Sequence, residues 1–391
     1  MQNELKVSVT NILIVLYFLC FLILDNGTVF STVGKVFFAI LVTANILLNY
    51  KSIFNLYSVW LVIYSAFVLL SVTWAKYNAF AMQAALTVVY TTICSLSFPT
   101  VLAKRKSDLI FLYKMIIFLP LIYFTYYLIF YDVPNVFNLR DGAINQAYNN
   151  IGLYAAYSFL FILIYQSTVQ KSTFYNILYV VDLLLIIISQ SRKSLIYIGI
   201  VIILYLILSS KNILKTLARV IISIAILIII YYSFKSGIFG NSMKELILSF
   251  EGDASDSSYV GRMNQFDISM GLFEQNRILG LGIGAIEFVC RFIYGQNAPI
   301  VDNDYLDILA DLGILGMVMY YGFHTFLLVH FIDLKKFWNK TNLLFFILLI
   351  ILFIQGFLIR GYFNNYYVPL LLYLIYYNGK NINKYPMTTG S

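Results

Sequence analysis

The stretch VVDLLLIIISQSRKSLIYIGIVIILYLILSS, residues 180–210, consists of two apolar runs separated by the polar segment QSRKS, residues 190–194. An α-helix rises about 1.5 Å per residue, and the hydrocarbon core of a bilayer is about 30 Å thick. With its flanking residues, each run has a length that approaches this thickness. The stretch therefore predicts two membrane-spanning helices, 176–190 and 194–210, with a pair of basic residues at the turn between them.

The composition of the whole chain agrees with this local pattern. Of its 391 residues, 61% are hydrophobic and 11% are charged, whereas about 25% of residues are charged in soluble domains. No segment alternates polar and apolar residues as a membrane β-strand does. We therefore expect an all-α fold, a polytopic membrane helix bundle that forms one integral membrane domain over residues 1–391. About twelve spans are predicted, at 9–24, 28–48, 53–74, 79–102, 109–131, 147–168, 176–190, 194–210, 217–234, 304–332, 342–359 and 362–378.

The basic residues predict the orientation of the bundle. More than half of the 26 Lys and Arg residues fall in loops that face the cytoplasm if the N-terminus is inside, and few fall in the short outer loops. Both termini are therefore expected in the cytoplasm of a bacterium, with the chain in the cytoplasmic (inner) membrane. The net charge of +8 is attributed to this topology and to lipid headgroups as partners. No nucleic acid partner is expected.

The residues that usually bind metals are scattered. Cys20, Cys94 and Cys290 lie far apart, and His324 and His330 are six residues apart and so face different sides of one helix. We therefore predict no disulfide, no metal site and no cofactor.

One long polar segment, residues 235–303, is predicted to lie outside the cytoplasm between spans nine and ten, as a loop that contains amphipathic helices. Its stretch YVGRMNQFDISMGLFEQNR, 259–277, repeats apolar residues at helical spacing, which predicts a helix on the bundle or membrane surface. We name the repeat the Met–Phe stripe: Met263, Phe266, Met270 and Phe273. The following LGLGIG, 279–284, is interpreted as a tight turn, because no strand precedes it as a dinucleotide-binding motif requires.

The tenth span opens with several carboxylates. Asp304, Asp307 and Asp311 are spaced i, i+3 and i+7, which places them on one helix face. Capping of the helix start by Asp302, Asn303 and Asp304 explains part of this pattern. Asp311 and, in span seven, Asp182 lie at membrane depth, where a carboxylate usually faces a cavity or a cation from a neighbouring span.

The order of these segments resembles the O-antigen polymerase and O-antigen ligase superfamily. The similar features are the QSRKS turn between two spans, the helix with GRMNQFDISMGLF, the LGLGIG turn and the helix start DNDYLDILADLGILG. They cover about residues 145–330. The resemblance implies a glycosyltransferase that polymerises polyprenyl-diphosphate-linked oligosaccharide repeat units on the outer face of the cytoplasmic membrane. The growing glycan of O-antigen, capsule or another surface polysaccharide would pass from its undecaprenyl-type lipid diphosphate to a sugar hydroxyl of the incoming unit.

The same resemblance implies the residues that would act. Arg192 and Arg262 would hold the diphosphate, and Asp302, at a position that is usually His in the ligases, would assist the acceptor hydroxyl. This departure favours a polymerase and leaves the identity of the base open. Further substrate-binding residues are predicted from their positions near these three or near the outer ends of spans: Lys193, Arg277, Asn303, Asp304, Tyr305, Arg140, Asn145, Arg360 and Tyr362. Whether a chain-length regulator protein is a partner stays open.

Other classes of protein remain alternatives. An O-antigen ligase would use the same donor. A transporter or flippase for lipid-linked glycans would use the intramembrane carboxylates as relays, although the chain shows no repeated halves. The Asp302-Asn303-Asp304 run also resembles the metal-binding motif of nucleotide-sugar transferases, but the predicted topology places it away from cytosolic nucleotide sugars. Finally, Arg192 and Lys193 could anchor a hairpin tip to headgroups without any role in a reaction.

Overall fold

The structure is a computed structural model of the chain. It describes residues 9–24, 29–102, 106–131, 147–169, 171–209, 213–236, 257–293, 303–332, 340–358, 362 and 366–381. These residues form helices and connecting turns, with no β-strand among them. The predicted all-α class is therefore confirmed.

The helices are numbered in chain order. The first ten are α1 (Val9–Tyr17, continued as a π-helix over Phe18–Ile23), α2 (Val29–Leu48), α3 (Leu56–Ser71), α4 (Asn78–Ser95), α5 (Ser97–Leu102), α6 (Lys106–Phe130), α7 (Ala147–Thr168), α8 (Thr173–Ser189), α9 (Arg192–Leu208) and α10 (Ile213–Lys235). The remaining five are α11 (Ser257–Gln275), α12 (Ala285–Phe288, continued as a π-helix over Val289–Ile293), α13 (Asp304–Ile332), α14 (Lys340–Leu358) and α15 (Tyr367–Asn381).

Each of the twelve predicted spans contains a helix. Six helices of the described residues are long and apolar enough to cross a membrane: Leu56–Trp74, Asn78–Pro99, Ser107–Phe130, Tyr148–Thr168, Asp304–Ile332 and Lys340–Leu358. Shorter apolar helices occupy Thr10–Ile23, Thr32–Leu48 and Thr173–Ser189. The chain is thus a multi-pass membrane protein, and twelve as the number of crossings stays a prediction.

The last helix begins later than the sequence predicted. The predicted span starts at residue 362, whereas α15 starts at Tyr367. Pro369 explains the difference, because proline fits the first turn of a helix but not its interior, where its missing N–H would break the hydrogen-bond ladder. Tyr362 therefore lies in the connection between α14 and α15.

The core of the bundle is built around α7, which packs against α6, α8, α9 and α14. Its Leu160, Phe161 and Ile164 are fully buried, as is Leu348 of α14. At the edge of the bundle α10 packs against α9, and its Ile221 is 67% exposed. Such exposed apolar side chains are expected where a helix faces lipid.

One end of the bundle brings together several helix termini. Gly152, near the start of α7, lies against the turn between α8 and α9. The Tyr157 hydroxyl of α7 donates a hydrogen bond to Gln355 of α14, and Gly356 lies against the Tyr305 ring at the start of α13. We call this the site end of the bundle.

Candidate functional site

The helix α13 is interrupted at Gly313, whose φ of 65° and ψ of −165° are not helical. In an intact helix, the N–H groups of Ile314 and Leu315 would bond the carbonyls four residues earlier. Instead, Ile314 donates to the Arg277 carbonyl at 2.9 Å and Leu315 donates to the Ile278 carbonyl at 3.2 Å. The chain just after α11 thus supplies acceptors to the broken helix.

The carbonyls on the other side of the break are paired in the same way. The Ala310 oxygen accepts from Leu281 N–H at 3.0 Å, and the Asp311 main-chain oxygen accepts from Gly282 N–H at 2.9 Å. The segment 277–282 is therefore inserted into the hydrogen-bond ladder of α13. Because all four groups keep partners, the break is tolerated at membrane depth.

Two glycines make this insertion sterically possible. Gly280 has a φ of 68°, and a Cβ there would overlap the Asp311 carbonyl. A Cβ at Gly313 would overlap the Ile278 carbonyl. The LGLGIG segment, Leu279–Gly284, is thus a tight turn as predicted, and we call it the glycine turn.

The Asp311 carboxylate holds the end of the glycine turn. Its Oδ2 accepts from Gly284 N–H at 2.7 Å, and its Oδ1 accepts from Ile286 N–H at 2.9 Å. It caps the start of α12 in this way, with its charge at the positive end of that helix. The Tyr362 hydroxyl also donates to Oδ2, at 2.6 Å. Burial raises the pKa of Tyr362 well above its usual range, and the charge of Asp311 raises it further, so the phenol keeps its proton.

The start of α13 is capped as the sequence analysis expected. The Asn303 Oδ1 accepts from Leu306 N–H at 3.1 Å, which satisfies one of the unpaired donors of the first turn. The neighbouring Asp304 is buried, and its Oδ1 accepts from Tyr362 N–H at 2.9 Å. Tyr362 therefore connects two carboxylates of α13, one by its main chain and one by its side chain.

Tyr305 fixes the start of α13 against α14. Its hydroxyl donates to the Phe353 carbonyl at 2.8 Å, and its ring stacks on Tyr321 with the ring centres 4.4 Å apart. These contacts orient the first turn of α13 and leave Asn303 at the very start of the helix.

The turn between α8 and α9 is seated firmly on α7. Ser189, Ser191 and Ser194 are buried, and Gln190 ends α8 in the left-handed conformation with a φ of 48°. A Cβ at Gly152 of α7 would lie 2.5 Å from Ser189 Oγ and 2.8 Å from Ser194 Oγ, so this contact has no room for a side chain. The turn is therefore not a loose hairpin tip, and its conformation is set by packing.

Arg192 and Lys193 form the first turn of α9 and are partly exposed. The N–H groups at a helix start favour negative charge, and two cationic side chains add to this. One turn further, Tyr197 is buried. The starts of α9 and α13 lie at the same end of the bundle, where both helices pack against α14.

Five predicted site residues lie where their side chains are not described. The main chain of Arg262 belongs to α11. Asp302, Arg140, Asn145 and Arg360 lie outside the described residues. Their roles stay predictions.

Arg277 has a different setting from the other predicted site residues. Its carbonyl bonds Ile314 across the α13 break, and its exposed guanidinium lies 4.0 Å from Glu274. Substrate binding by Arg277, as by Lys193, Asn303, Asp304, Tyr305 and Tyr362, stays a prediction.

The Met–Phe stripe of α11 is partly buried, with Met270 and Phe273 half-buried. Ile268 and Leu272 of the same helix belong to a small apolar cluster with Cys290 of α12 and Ala310 of α13, whereas Phe266 is 46% exposed. The stripe was predicted to lie on the bundle or on the membrane surface, and which of the two it contacts stays a prediction.

Asp182 lies in the middle of α8 and is 2% exposed. Its Oδ2 has no hydrogen-bond partner in the part of the chain that the structure describes, and the Ser158 hydroxyl of α7 donates to the Ile117 carbonyl at 2.9 Å. Among the described residues, no Lys, Arg or His pairs with it, so the expected ion pair is not found.

The sequence analysis missed several buried polar residues at the site end. Tyr197, Tyr157 and Tyr320 were indistinguishable from the aromatic residues that line both membrane interfaces. Gln355 was the more visible signal, because a lone amide inside an apolar span usually has a partner, and here that partner is Tyr157.

In the part of the chain that the structure describes, no three His, Cys, Asp or Glu side chains come together as a metal site would require. The absence of a cofactor stays a prediction.

One comparison with known protein families matches this part of the chain. Residues 177–321 match a family model described as O-antigen ligase. The match runs from α8 into α13 and so includes the Arg192 turn, α11, the glycine turn and the Asn303 helix start. No curated protein matches the chain. Residues 177–321 are therefore similar to the O-antigen ligase family, consistent with the O-antigen polymerase and ligase superfamily.

Proposed function

We propose that the protein polymerises oligosaccharide repeat units carried on a polyprenyl diphosphate, at the outer face of the bacterial cytoplasmic membrane. The observation that carries this proposal is that the α9 start, with Arg192, and the α13 start, with Asn303, lie at the same end of the bundle. A lipid diphosphate has its charge at the membrane interface and its tail in the bilayer. A cationic helix start at the end of a membrane bundle suits such a substrate.

Arg192 is the proposed diphosphate ligand, together with Arg262 of α11. A guanidinium binds a phosphate through two parallel hydrogen bonds, each worth about 1.5–3 kcal/mol when charge-assisted. The diphosphate gains negative charge as it leaves the sugar. Fixed cations therefore stabilise the transition state more than the bound substrate, which is the requirement for catalysis.

The transfer itself exchanges one C–O bond for another. The acceptor hydroxyl oxygen attacks the anomeric carbon of the growing glycan, and the bond from that carbon to the diphosphate oxygen breaks. The electron pair of that bond goes to the diphosphate, and the hydroxyl proton goes to a carboxylate. We assign this carboxylate to Asp302, which directly precedes the Asn303 cap. Asp311 is less suited, because both its oxygens already accept hydrogen bonds.

The test is to incubate the purified protein in lipid with its polyprenyl-diphosphate repeat unit, without metal or nucleotide sugar. A ladder of products spaced by one repeat unit is the expected result. Arg192→Ala should abolish the ladder, whereas Arg219→Ala should preserve it, because Arg219 lies on the peripheral α10 and bonds Leu206 and Ser209. An unchanged ladder from Arg192→Ala would exclude the proposed diphosphate site.

The O-antigen ligase description of the matched family supports a second candidate, transfer of a finished glycan to a different lipid acceptor. Both reactions use the same donor and differ in the acceptor. Adding a lipid A-core acceptor to the same assay separates them: one large shift of that acceptor, without a ladder, identifies a ligase. A protein that forms neither product but moves the lipid-linked unit across vesicles is a transporter.

A further inference from the structure

We propose that Asp311 is a positioning residue, which holds α11, the helix with Arg262, at a fixed place against the Asn303 start of α13. The inference rests on the proposed function only in the role given to Arg262. The claim that one carboxylate holds two helices together rests only on the hydrogen bonds of Asp311.

Asp311 joins three parts of the chain. It belongs to α13, its carboxylate accepts from Gly284 and Ile286 at the end of the glycine turn, and it also accepts from Tyr362 of the α14–α15 connection. All three bonds are 2.9 Å or shorter, and the side chain is fully buried. Loss of the charge would leave buried N–H groups with a weaker acceptor or none.

Two hydrogen bonds of the Asp311 carboxylate, from Gly284 and Ile286, hold the end of the segment that is inserted into the hydrogen-bond ladder of α13. Segment 277–282 directly follows α11 and pairs with α13 on both sides of Gly313. At its far end the carboxylate fixes Gly284, so the inserted segment is held at both ends. The direction in which α11 leaves this segment is set by the insertion, and with it the position of Arg262 relative to α13.

The alternative, that Asp311 acts directly on substrate, does not fit its position. Its side chain has no exposed surface, and both oxygens are occupied by donors. It is eight residues after Asn303, which is about 12 Å along a helix.

The experiment measures the distance between α11 and α13 directly. Gly271 of α11 and Gly322 of α13 both have open space where a Cβ would be added, so Gly271→Cys and Gly322→Cys can carry spin labels without disturbing the packing. The native cysteines Cys20, Cys94 and Cys290 are buried. The distance distribution between the labels would be recorded for the otherwise unchanged protein in nanodiscs, for Asp311→Asn and for Asp267→Asn, an exposed acid of α11 that serves as the control.

We expect one narrow distance in the parent and in Asp267→Asn, and at least a twofold broader distribution in Asp311→Asn. The ladder assay should show at least a tenfold lower turnover at saturating substrate for Asp311→Asn alone. An Asp311→Asn variant with the parent distance distribution overturns the proposal, whatever its activity. If Asp311→Asn does not fold, Asp311→Glu decides, because it keeps the charge and displaces the carboxylate from the N–H groups of Gly284 and Ile286: broadening supports the proposal, and an unchanged distribution refutes it.

The label measurement needs no substrate. A parent protein that gives no ladder would therefore reject the proposed reaction without affecting the distance result. A ladder from the parent combined with an unchanged distribution in Asp311→Asn would reject only the positioning role.

Discussion

Substitution of Gly313 by alanine should be among the most destabilising single changes in α13. The backbone of Gly313, with φ of 65° and ψ of −165°, lies in a region that is essentially restricted to glycine. An added Cβ would also overlap the Ile278 carbonyl and lie 2.7 Å from the Gly280 nitrogen. Both neighbours are main-chain atoms of the inserted segment, so they cannot move aside by changing a rotamer.

The expected loss follows from two contributions. The unfavourable backbone conformation costs about 1–3 kcal/mol for a residue other than glycine. Displacement of the inserted segment removes the bonds from Ile314 to Arg277 and from Leu315 to Ile278. At about 0.5–1.5 kcal/mol net each, these add roughly 1–3 kcal/mol. The sum, roughly 2–6 kcal/mol, is a large part of the stability of a typical protein.

The assay is unfolding of the purified protein in mixed micelles with increasing SDS, followed by far-UV circular dichroism. Gly322→Ala is the matched control, because it lies in the same helix with open space around the added Cβ. Alanine at that position should leave stability unchanged or raise it by up to about 1 kcal/mol. A Gly313→Ala protein within about 0.5 kcal/mol of the parent would refute the inserted-segment account of α13.

Three further changes test the site end. Gly152→Ala should displace the α8–α9 turn and lower polymer yield, since its Cβ would meet Ser189 and Ser194, whereas Gly199→Ala, with open space, should have no effect on the ladder. Asn303→Ala should lower the free energy of unfolding by about 1 kcal/mol through loss of the α13 cap, and no change would contradict that role. Arg192→Lys should lower turnover in the ladder assay roughly tenfold to a hundredfold, because lysine keeps the charge and loses the two-pronged hydrogen bond; parent-like turnover would show that charge alone suffices.

The sequence predicted the helices well because the apolar runs are long and their solvent is lipid. Each of the twelve predicted spans contains a helix, and the Asn303 cap followed from its place before the α13 run. The sequence did not determine which face of α11 packs against α13. Periodicity reports which residues share a face of a helix, but several faces of α11 carry apolar residues, and the partner decides which of them is buried.

The candidate site could be predicted in parts only. Arg192 at the start of a helix and Asn303 at the start of another are local features, which neighbouring residues determine. That the two starts lie at one end of the bundle depends on how α9 and α13 pack against α14. No spacing along the chain encodes that arrangement.

Asp311 shows most clearly which features the sequence determined and which contacts only the tertiary structure determined. The sequence by itself established that a carboxylate lies in an apolar helix near a glycine, and that lipid makes an unpartnered charge there costly. Only the tertiary structure decided that its partners are the N–H groups of Gly284 and Ile286 and the hydroxyl of Tyr362. The physical reason is that main-chain donors are present at nearly every residue, so the sequence cannot mark which of them a carboxylate will bind. The fold selects them by bringing one turn into the gap of a broken helix.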